Sequence, residues 1–151
     1  MMKYWLMKSE PDVFSIQDLQ RVRIEPWDGI RNYQARNFIR DEMRKGDEAF
    51  FYQSNCDETG IVGIMRIHKE AYPDHTAFDA KHQYYDPKSG KDEPRWFMVD
   101  VEYVRALKRV ITLKELREHK PLAELILLRR GNRLSIMPVS KKHWDYILKL
   151  E

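Results

Sequence analysis

The chain alternates short apolar runs with polar turns, a pattern typical of a sheet with helices packed against it. An apolar run over residues 4–7 stops at Ser9-Glu10-Pro11, which predicts a buried first strand that ends at a proline turn. A short strand is also expected to run through Pro138. Segments rich in Phe, Tyr, Ile, Val and Met predict three further strands, over residues 49–53, 60–68 and 95–104. These strands predict a mixed or antiparallel sheet.

Three short helices are marked by hydroxyl residues that can cap a first turn. Ser15, Thr112 and Ser140 each stand directly before a segment with helical apolar spacing. Glu115 follows Thr112 at the spacing of a capping box, in which each residue's side chain bonds the other's backbone N–H. We therefore expect helices to begin just after these three residues.

Two longer helices are predicted from apolar periodicity. One is expected from about Asn32 to Lys45, with Gly46 as its stop. Its apolar face would carry Ala35, Phe38, Ile39 and Met43. The other is expected over residues 121–130 and would be stopped by Gly131.

Residues 72–94 form a long segment of turns that separates the last two long strands. Loops of this length within a compact domain are usually functional or mobile. Repeats, low-complexity tracts and a dividing linker are absent from the sequence. The whole pattern predicts a single α+β domain over residues 1–151, with a curled, barrel-like sheet and short helices around it.

Composition places the chain among globular proteins that need no cross-link. A chain of 151 residues can bury roughly two thirds of its unfolded surface. Its only cysteine is Cys56, so an internal disulfide is impossible and a reducing compartment fits. Neither a signal peptide nor a membrane span is indicated near the N-terminus. These features predict a cytoplasmic location without a membrane partner.

Positive charge is concentrated toward the C-terminus. The net charge is only +3, but residues 103–151 contain 12 basic and 5 acidic side chains. Residues 1–102 contain 15 basic and 19 acidic side chains. Such asymmetry indicates a polyanionic partner, although a basic half of this size also occurs in proteins that bind nothing charged.

The segment over residues 27–37, WDGIRNYQARN, has the composition of a binding site. A tryptophan face can stack on a nucleobase, an interaction worth roughly 1–3 kcal/mol. Asparagine and glutamine can read the edge of a base, and arginine can bind phosphate through paired donors. The alternative is structural: a tryptophan that follows a proline is often part of a core, and an Arg/Asn-rich loop is often a solvated turn.

The sequence gives little support to catalysis. The five histidines lack the close spacing of a zinc pair, and the phosphate-binding glycine loops and the nucleophile-elbow motif are absent. We therefore expect no metal and no cofactor. An enzyme would need a general base in a pocket, for which Asp28 or Glu10 is placed. A protein-interaction module would instead present a flat apolar patch. Binding by stacking, hydrogen bonds and phosphate contacts is favoured over both.

Six ordered segments are spread over essentially the whole chain: residues 4–11 (YWLMKSEP), 27–37 (WDGIRNYQARN), 52–55 (YQSN), 60–63 (GIVG), 94–101 (PRWFMVDV) and 132–139 (NRLSIMPV). Together they resemble the EVE domain family of the PUA-like superfamily. The resemblance implies a PUA-like fold, with a curled mixed sheet or pseudo-barrel, and a role in recognising modified bases in DNA or RNA.

The EVE family is similar in fold to the YTH readers of methylated adenine. In those proteins a Lys-Ser step and a downstream tryptophan help to build the base pocket, and Lys8-Ser9 and Trp27 look like the corresponding positions. The YTH cage also uses tryptophans from a later loop, whereas residues 58–85 contain none. This departure argues against methyladenine as the ligand.

These considerations predict a nucleotide flipped out of its strand and held beside Trp27. Tyr52 could instead belong to the core, Ser54 and Asn55 could form only a turn, and Arg130 could only cap a helix. Trp5 and Trp96, in apolar strands, are assigned to the core. The predicted base-binding residues are Lys8, Ser9, Trp27, Asp28, Asn32, Tyr52, Ser54 and Asn55, and the predicted phosphate-binding residues are Arg31, Arg36, Arg130 and Arg133. The alternative is an enzyme or a binding protein for a nucleotide or small metabolite that binds in the same pocket.

Overall fold

A computed structural model describes residues 2–151 and places six strands in one mixed sheet. The strands are β1 (Tyr4–Ser9), β2 (Ile24–Pro26), β3 (Glu48–Gln53), β4 (Gly60–Pro73), β5 (Phe97–Thr112) and β6 (Ile136–Val139). Their order is β2-β5-β4-β3-β1-β6, with β1 and β3 parallel and all other neighbours antiparallel. The predicted α+β class with a mixed sheet is confirmed. Within the described residues the sheet is open, with β2 and β6 at its edges.

Four short α-helices begin where the sequence predicts or close to it. They are α1 (Ile16–Val22), α2 (Tyr33–Asn37), α3 (Leu113–Arg117) and α4 (Lys141–Leu148). Ser15, Thr112 and Ser140 each accept a hydrogen bond from the first turn, so these three caps are confirmed. The capping box predicted at Thr112 is incomplete, because the Glu115 carboxylate pairs with Arg109 instead.

Alternation along the strands divides the core between the two faces of the sheet. In β1, Trp5 and Met7 face one cluster, whereas Leu6 between them faces the other. The first cluster is completed by α1 and α2, and the second by α3 and α4. Trp5 and Trp96 are buried, as the sequence predicts.

The two longer helices differ from their predictions. Beyond α2 the backbone widens into a π-helical turn over Phe38–Glu42, so the helix ends before Lys45. The helix predicted over residues 121–130 is wrong: two 3₁₀ turns stand there, Lys120–Leu122 and Ile126–Leu128. Leu122 and Leu127 are both buried in this segment. In an α-helix their side chains would lie about 140° apart, so one helix could not turn both toward the same core.

The strands β4 and β5 are longer than predicted, and the segment between them covers residues 74–96 instead of the expected 72–94. Their ladder contains several register shifts, which accommodate the bending of two long strands. The segment between them begins at Asp74, which caps a 3₁₀ turn over His75–Phe78. The three-residue strand β2, which the sequence analysis missed, adds an edge beside β5. No helix within residues 2–151 is long and apolar enough to cross a membrane.

Candidate functional site

A cleft of about 380 Å³ opens where the parallel strands β1 and β3 end. Parallel pairing brings the residues that follow the two strands together, and the Ser54 N–H donates to the Ser9 carbonyl at 3.0 Å. On the other side of β1, the Lys8 N–H donates to the Ser135 carbonyl at 2.8 Å. The cleft volume lies within the usual range of small-ligand sites. The lining residues are 8–10, 13–14, 25–31, 54, 84, 133 and 135.

Trp27 belongs both to the cleft wall and to the core. Its side chain is only 6% exposed, and its ring meets Phe51 nearly at right angles with the centroids 5.5 Å apart. Phe14, which also lines the cleft, meets it at right angles at 6.5 Å. The backbone N–H of Trp27 donates to the Val99 carbonyl at 2.8 Å. The indole is therefore held in one orientation, and the structural alternative for Trp27 is correct as far as burial is concerned.

Asp74 fixes the loop that follows Trp27. Its buried carboxylate accepts hydrogen bonds from the Gly29 N–H at 2.8 Å and from Arg31 at 3.0 Å. The Thr76 hydroxyl donates to the other carboxylate oxygen at 2.6 Å. Burial alone would raise the pKa of Asp74, but hydrogen bonds from Thr76, Gly29 and Arg31 outweigh it and hold that pKa below its usual value. The cleft wall is thus tied to the start of the long loop.

Tyr84 adds a second contact between that loop and the cleft. Its carbonyl accepts from the Arg31 guanidinium at 2.7 Å, and its ring lies 5.5 Å from the guanidinium carbon. Gly29 passes so close that a Cβ there would lie 2.5 Å from the Tyr84 ring. Of residues 72–94, the segment expected to be functional or mobile, Tyr84 thus lines the cleft.

Charged residues of both signs line the cleft, and their partial burial shifts their pKa values. Burial lowers the pKa of Lys8. Burial, followed by the neighbouring Asp28 carboxylate, raises the pKa of Glu25. The pKa of Asp28 at the rim is raised by partial desolvation and then by Asp74. The Glu25 and Asp28 carboxylates offer hydrogen-bond acceptors to a polar base edge, whereas the Lys8 ammonium lies 5.8 Å from the centroid of the Tyr52 ring, on the side of the second core cluster.

Five of the eight predicted base-binding residues line the cleft: Lys8, Ser9, Trp27, Asp28 and Ser54. The other three do not. Asn32 caps α2 by accepting from the Ala35 N–H at 3.0 Å, and Asn55 donates to Glu10 at 3.1 Å. Tyr52 lies in the core on the other face of the sheet, where burial raises its pKa to about 12. For Asn55 and Tyr52 the structural alternatives match the observed positions.

The predicted phosphate-binding arginines fall into different environments. Arg31 makes five hydrogen bonds within the fold, which engage all five N–H donors of its guanidinium and leave none for a phosphate. Arg36 donates to the Arg95 carbonyl at 2.7 Å and to Asn37 at 2.9 Å. Arg130 and Arg133 are exposed, and Arg133 lines the cleft. Arg31 therefore has a structural role in place of the predicted phosphate contact, whereas Arg36, Arg130 and Arg133 remain candidates for one.

Asp74, Tyr84 and Glu25 are the functional candidates that the sequence analysis missed. Asp74 is 43 residues away from Arg31 in the chain, and no local pattern marks such a contact. Glu25 lies in the short strand β2, which carries no apolar alternation. Within residues 2–151, no three His, Cys, Asp or Glu side chains are grouped so that they could hold a metal ion.

Comparison with known proteins places the chain in a well-defined group. Residues 3–150 match the EVE domain family. Mouse thymocyte nuclear protein 1 is 51% identical over 167 aligned positions, which cover 98% of this chain and 73% of the mouse protein. Among solved structures, a Pseudomonas syringae protein is 51% identical with a TM-score of 0.94, over 97% of this chain and 98% of its own. The human THYN1 protein in complex with 5-methylcytosine-containing DNA is 50% identical with a TM-score of 0.93, over 98% of this chain and 96% of its own.

These relatives also correct one prediction. The sequence predicts a cytoplasmic location from its single cysteine and from the charged residues near its start. The mouse and human relatives are named as nuclear proteins, so that prediction is wrong.

Proposed function

We propose that this chain, which belongs to the EVE domain family, is a non-catalytic nucleic-acid-binding domain. It would recognise one modified base in the cleft beside Trp27. The human relative complexed with 5-methylcytosine-containing DNA supports this proposal and makes such DNA the first ligand to test. RNA with a modified base is the second.

The observation that carries the proposal is the combination of a fixed aromatic wall and polar side chains in one cleft. Trp27 and Phe14 form the apolar side, and Ser9 and Ser54 line the cleft at the strand ends. A base inside a duplex cannot reach such a site without leaving the stack, which costs a few kcal/mol. Contacts with the cleft would offset that cost.

The polar groups suit a cytosine edge. The Asp28 carboxylate can accept a hydrogen bond from an exocyclic amine, as carboxylates do with cytosine. The Lys8 ammonium, 5.8 Å from the centroid of the Tyr52 ring, would reach a base carbonyl by turning around the end of β1. The Ser9 hydroxyl already donates to the Phe14 carbonyl at 2.6 Å, so it is available to a ligand as an acceptor. The apolar side would receive the added methyl group.

Backbone contacts would come from the exposed arginines beside the cleft. Arg133 lines the cleft and Arg130 is exposed three residues before it. Both lie in the C-terminal part of the chain, residues 103–151, where basic residues outnumber acidic ones by 12 to 5. Arg36 can add a contact through its second NH₂ group, for which the described part of the chain shows no acceptor. Such contacts position the strand, and the cleft supplies the discrimination.

The test is equilibrium binding of short single- and double-stranded DNA and RNA, with and without 5-methylcytosine, to wild type and Trp27→Phe at two salt concentrations. Phe is used because Trp27→Ala removes a side chain buried in the core, at a cost of about 3–5 kcal/mol. Trp144→Phe is the matched control, because Trp144 is equally buried but packs on the opposite face against Phe50.

A preference for the methylated oligonucleotide that Trp27→Phe reduces and Trp144→Phe preserves is the expected result. Binding that ignores both the base and the variant, and that fades with salt, would overturn the proposal, since it would reflect phosphate attraction alone.

The raised pKa values of the Glu25 and Asp28 carboxyls favour a second candidate, an enzyme or binding protein for a nucleotide or small metabolite in the same cleft. Isothermal titration with free nucleosides and nucleotides distinguishes the two. Tight binding of a free nucleotide together with its chemical conversion would replace the proposed reader by an enzyme. The absence of both, with oligonucleotide binding intact, would leave the reader as the function.

A further inference from the structure

Tyr33 presents an aromatic ring to solvent on a rigid support. It is the first residue of α2 and is 51% exposed. One face of its ring stacks on Trp96, with centroids 4.8 Å apart and planes inclined by 26°. Trp96 is only 5% exposed, and its indole N–H donates to Asp86 at 2.7 Å. The ring of Tyr33 is therefore held in place by a fixed ring beneath it.

Arg36 lies beside this pair and is not centred over the outer face of Tyr33. Its guanidinium carbon is 4.9 Å from the Tyr33 centroid and 6.0 Å from that of Trp96. A guanidinium centred over the outer face of Tyr33 would be separated from Trp96 by the whole stack, well beyond the 6.0 Å observed. Within residues 2–151 no other aromatic or cationic group stacks on Tyr33.

This stacked pair continues directly from the cleft wall. The Arg31 guanidinium carbon lies 5.5 Å from the ring of Tyr84, which lines the cleft, and 5.4 Å from the ring of Trp96. Tyr33 stacks on the same Trp96 ring and follows Arg31 by two residues, which span at most about 7 Å between Cα atoms. The ring of Tyr33 is therefore joined to the cleft wall through Trp96 and Arg31.

We infer that the outer face of Tyr33 is a stacking site for a nucleobase that neighbours, in the same strand, the base held in the cleft. The inference rests on the proposed function and extends it to a second nucleotide. Stacking on tyrosine tolerates every base, since each has a π-face, so this site strengthens binding without reading sequence. The guanidinium carbon of Arg36 lies 4.9 Å from the Tyr33 centroid, and its free NH₂ group would bind the backbone phosphate of a stacked nucleotide.

The experiment compares wild type, Tyr33→Ala, Tyr33→Leu and Tyr33→Phe in binding to one short single-5-methylcytosine DNA duplex. Both Tyr33→Ala and Tyr33→Leu should weaken binding by about fivefold or more, whereas Tyr33→Phe keeps the ring and should bind as wild type. Leucine at position 33 still covers Trp96. A loss of affinity in Tyr33→Leu would therefore report lost stacking on a base and not lost packing against the protein. Tyr85→Ala is the matched control, because Tyr85 is also exposed, at 42%, but stacks on no other ring within residues 2–151.

Abasic nucleotides identify the partner of Tyr33. Removing the flanking base that stacks should weaken wild type and Tyr33→Phe but cause no further loss in Tyr33→Ala. Unchanged affinity of Tyr33→Leu, with methyl preference intact in wild type, would overturn this inference and leave the proposed function standing. Absence of methyl preference in wild type would instead overturn the proposed function, whatever Tyr33 does.

Discussion

Arg31 and Asp74 form an ion pair that holds the wall of the cleft together. The Arg31 Nη1 lies 3.0 Å from the Asp74 Oδ2, and the Asp74 side chain has no exposure to solvent. The same oxygen accepts the Gly29 N–H, so one carboxylate fixes two positions of the loop that follows Trp27. Any ligand that enters the cleft meets a wall whose shape depends on a residue from a distant segment.

Asp74→Asn is expected to destabilise the protein by about 2–4 kcal/mol, because it removes the charge opposite a partly buried guanidinium. Urea unfolding measures this loss. Asp92→Asn is the matched control, since Asp92 is exposed in the same loop and should leave the unfolding midpoint unchanged. Equal midpoints for Asp74→Asn and wild type would contradict the role assigned to this pair.

The contribution of Asp74 should also depend on pH. Its pKa in the folded protein lies below the usual value, despite burial, because Thr76, Gly29 and Arg31 donate to the carboxylate. A depressed pKa stabilises the fold above the unfolded-state pKa, and this contribution is lost as pH falls through the folded-state value. The difference in stability between wild type and Asp74→Asn should therefore shrink on acidification. Urea midpoints of both proteins across a pH series measure this, and a constant difference would be inconsistent with it.

Gly29→Ala should disturb both the backbone and the Tyr84 ring. Gly29 has φ +78°, and a Cβ would lie 2.5 Å from Tyr84. Gly46→Ala is the control, because φ there is +95° and nothing lies within 4 Å of the added Cβ. Backbone strain should cost both variants about 1–2 kcal/mol, and the clash should cost Gly29→Ala about 1–3 kcal/mol more. Thermal unfolding measures both losses. Adding Tyr84→Ala should remove the extra loss, and equal losses in the two single variants would rule the clash out.

The features that local sequence could predict are those set by neighbouring residues. Ser15, Thr112 and Ser140 were recognisable because a cap and its helix are adjacent in the chain. The helix over residues 121–130 was mispredicted because burial of Leu122 and Leu127, on different sides of an α-helix, is a consequence of tertiary packing. The same reasoning applies to β2, whose three residues are extended through pairing with β5.

The candidate site was predictable only in part for the same reason. Lys8, Ser9 and Ser54 follow two strands that the sequence marks, and parallel pairing of those strands brings them together. The resemblance to the EVE family added Trp27 to this group. Asp74 and Tyr84 are linked to the cleft by contacts with Gly29 and Arg31, each of which spans more than 40 residues of sequence. Nothing in the neighbouring sequence indicates such long-range contacts.

Methyl-base binding should weaken on acidification if the Asp28 carboxylate accepts a hydrogen bond from the base. Partial desolvation and then Asp74 raise the pKa of Asp28 above 3.8, while His82 and His75 oppose the shift. Protonation removes the acceptor, so the loss of affinity should begin at a higher pH than an ordinary aspartate would give. Dissociation constants of the methylated duplex across a pH series measure the effect. Asp28→Asn should bind more weakly and lack this pH dependence, whereas Glu25→Gln, which removes the neighbouring carboxyl, should retain it. Identical pH profiles for wild type and Asp28→Asn would exclude this hydrogen bond.

Phosphate contacts by Arg130 and Arg133 should appear in the salt dependence of binding. Each phosphate contact contributes about 0.9 to the slope of log K against log salt concentration in B-DNA. Arg130→Ala and Arg133→Ala should each lower the slope by about one contact and weaken methylated and plain DNA equally, since phosphates carry no base identity. Arg66→Ala is the charge-matched control: Arg66 is exposed on β4, pairs with Glu102 at 3.7 Å and does not line the cleft, so the slope should stay as in wild type. If Arg66→Ala lowered the slope as much as the other two, the effect would be one of net charge, and the loop over residues 129–135 would have no special part in holding the strand.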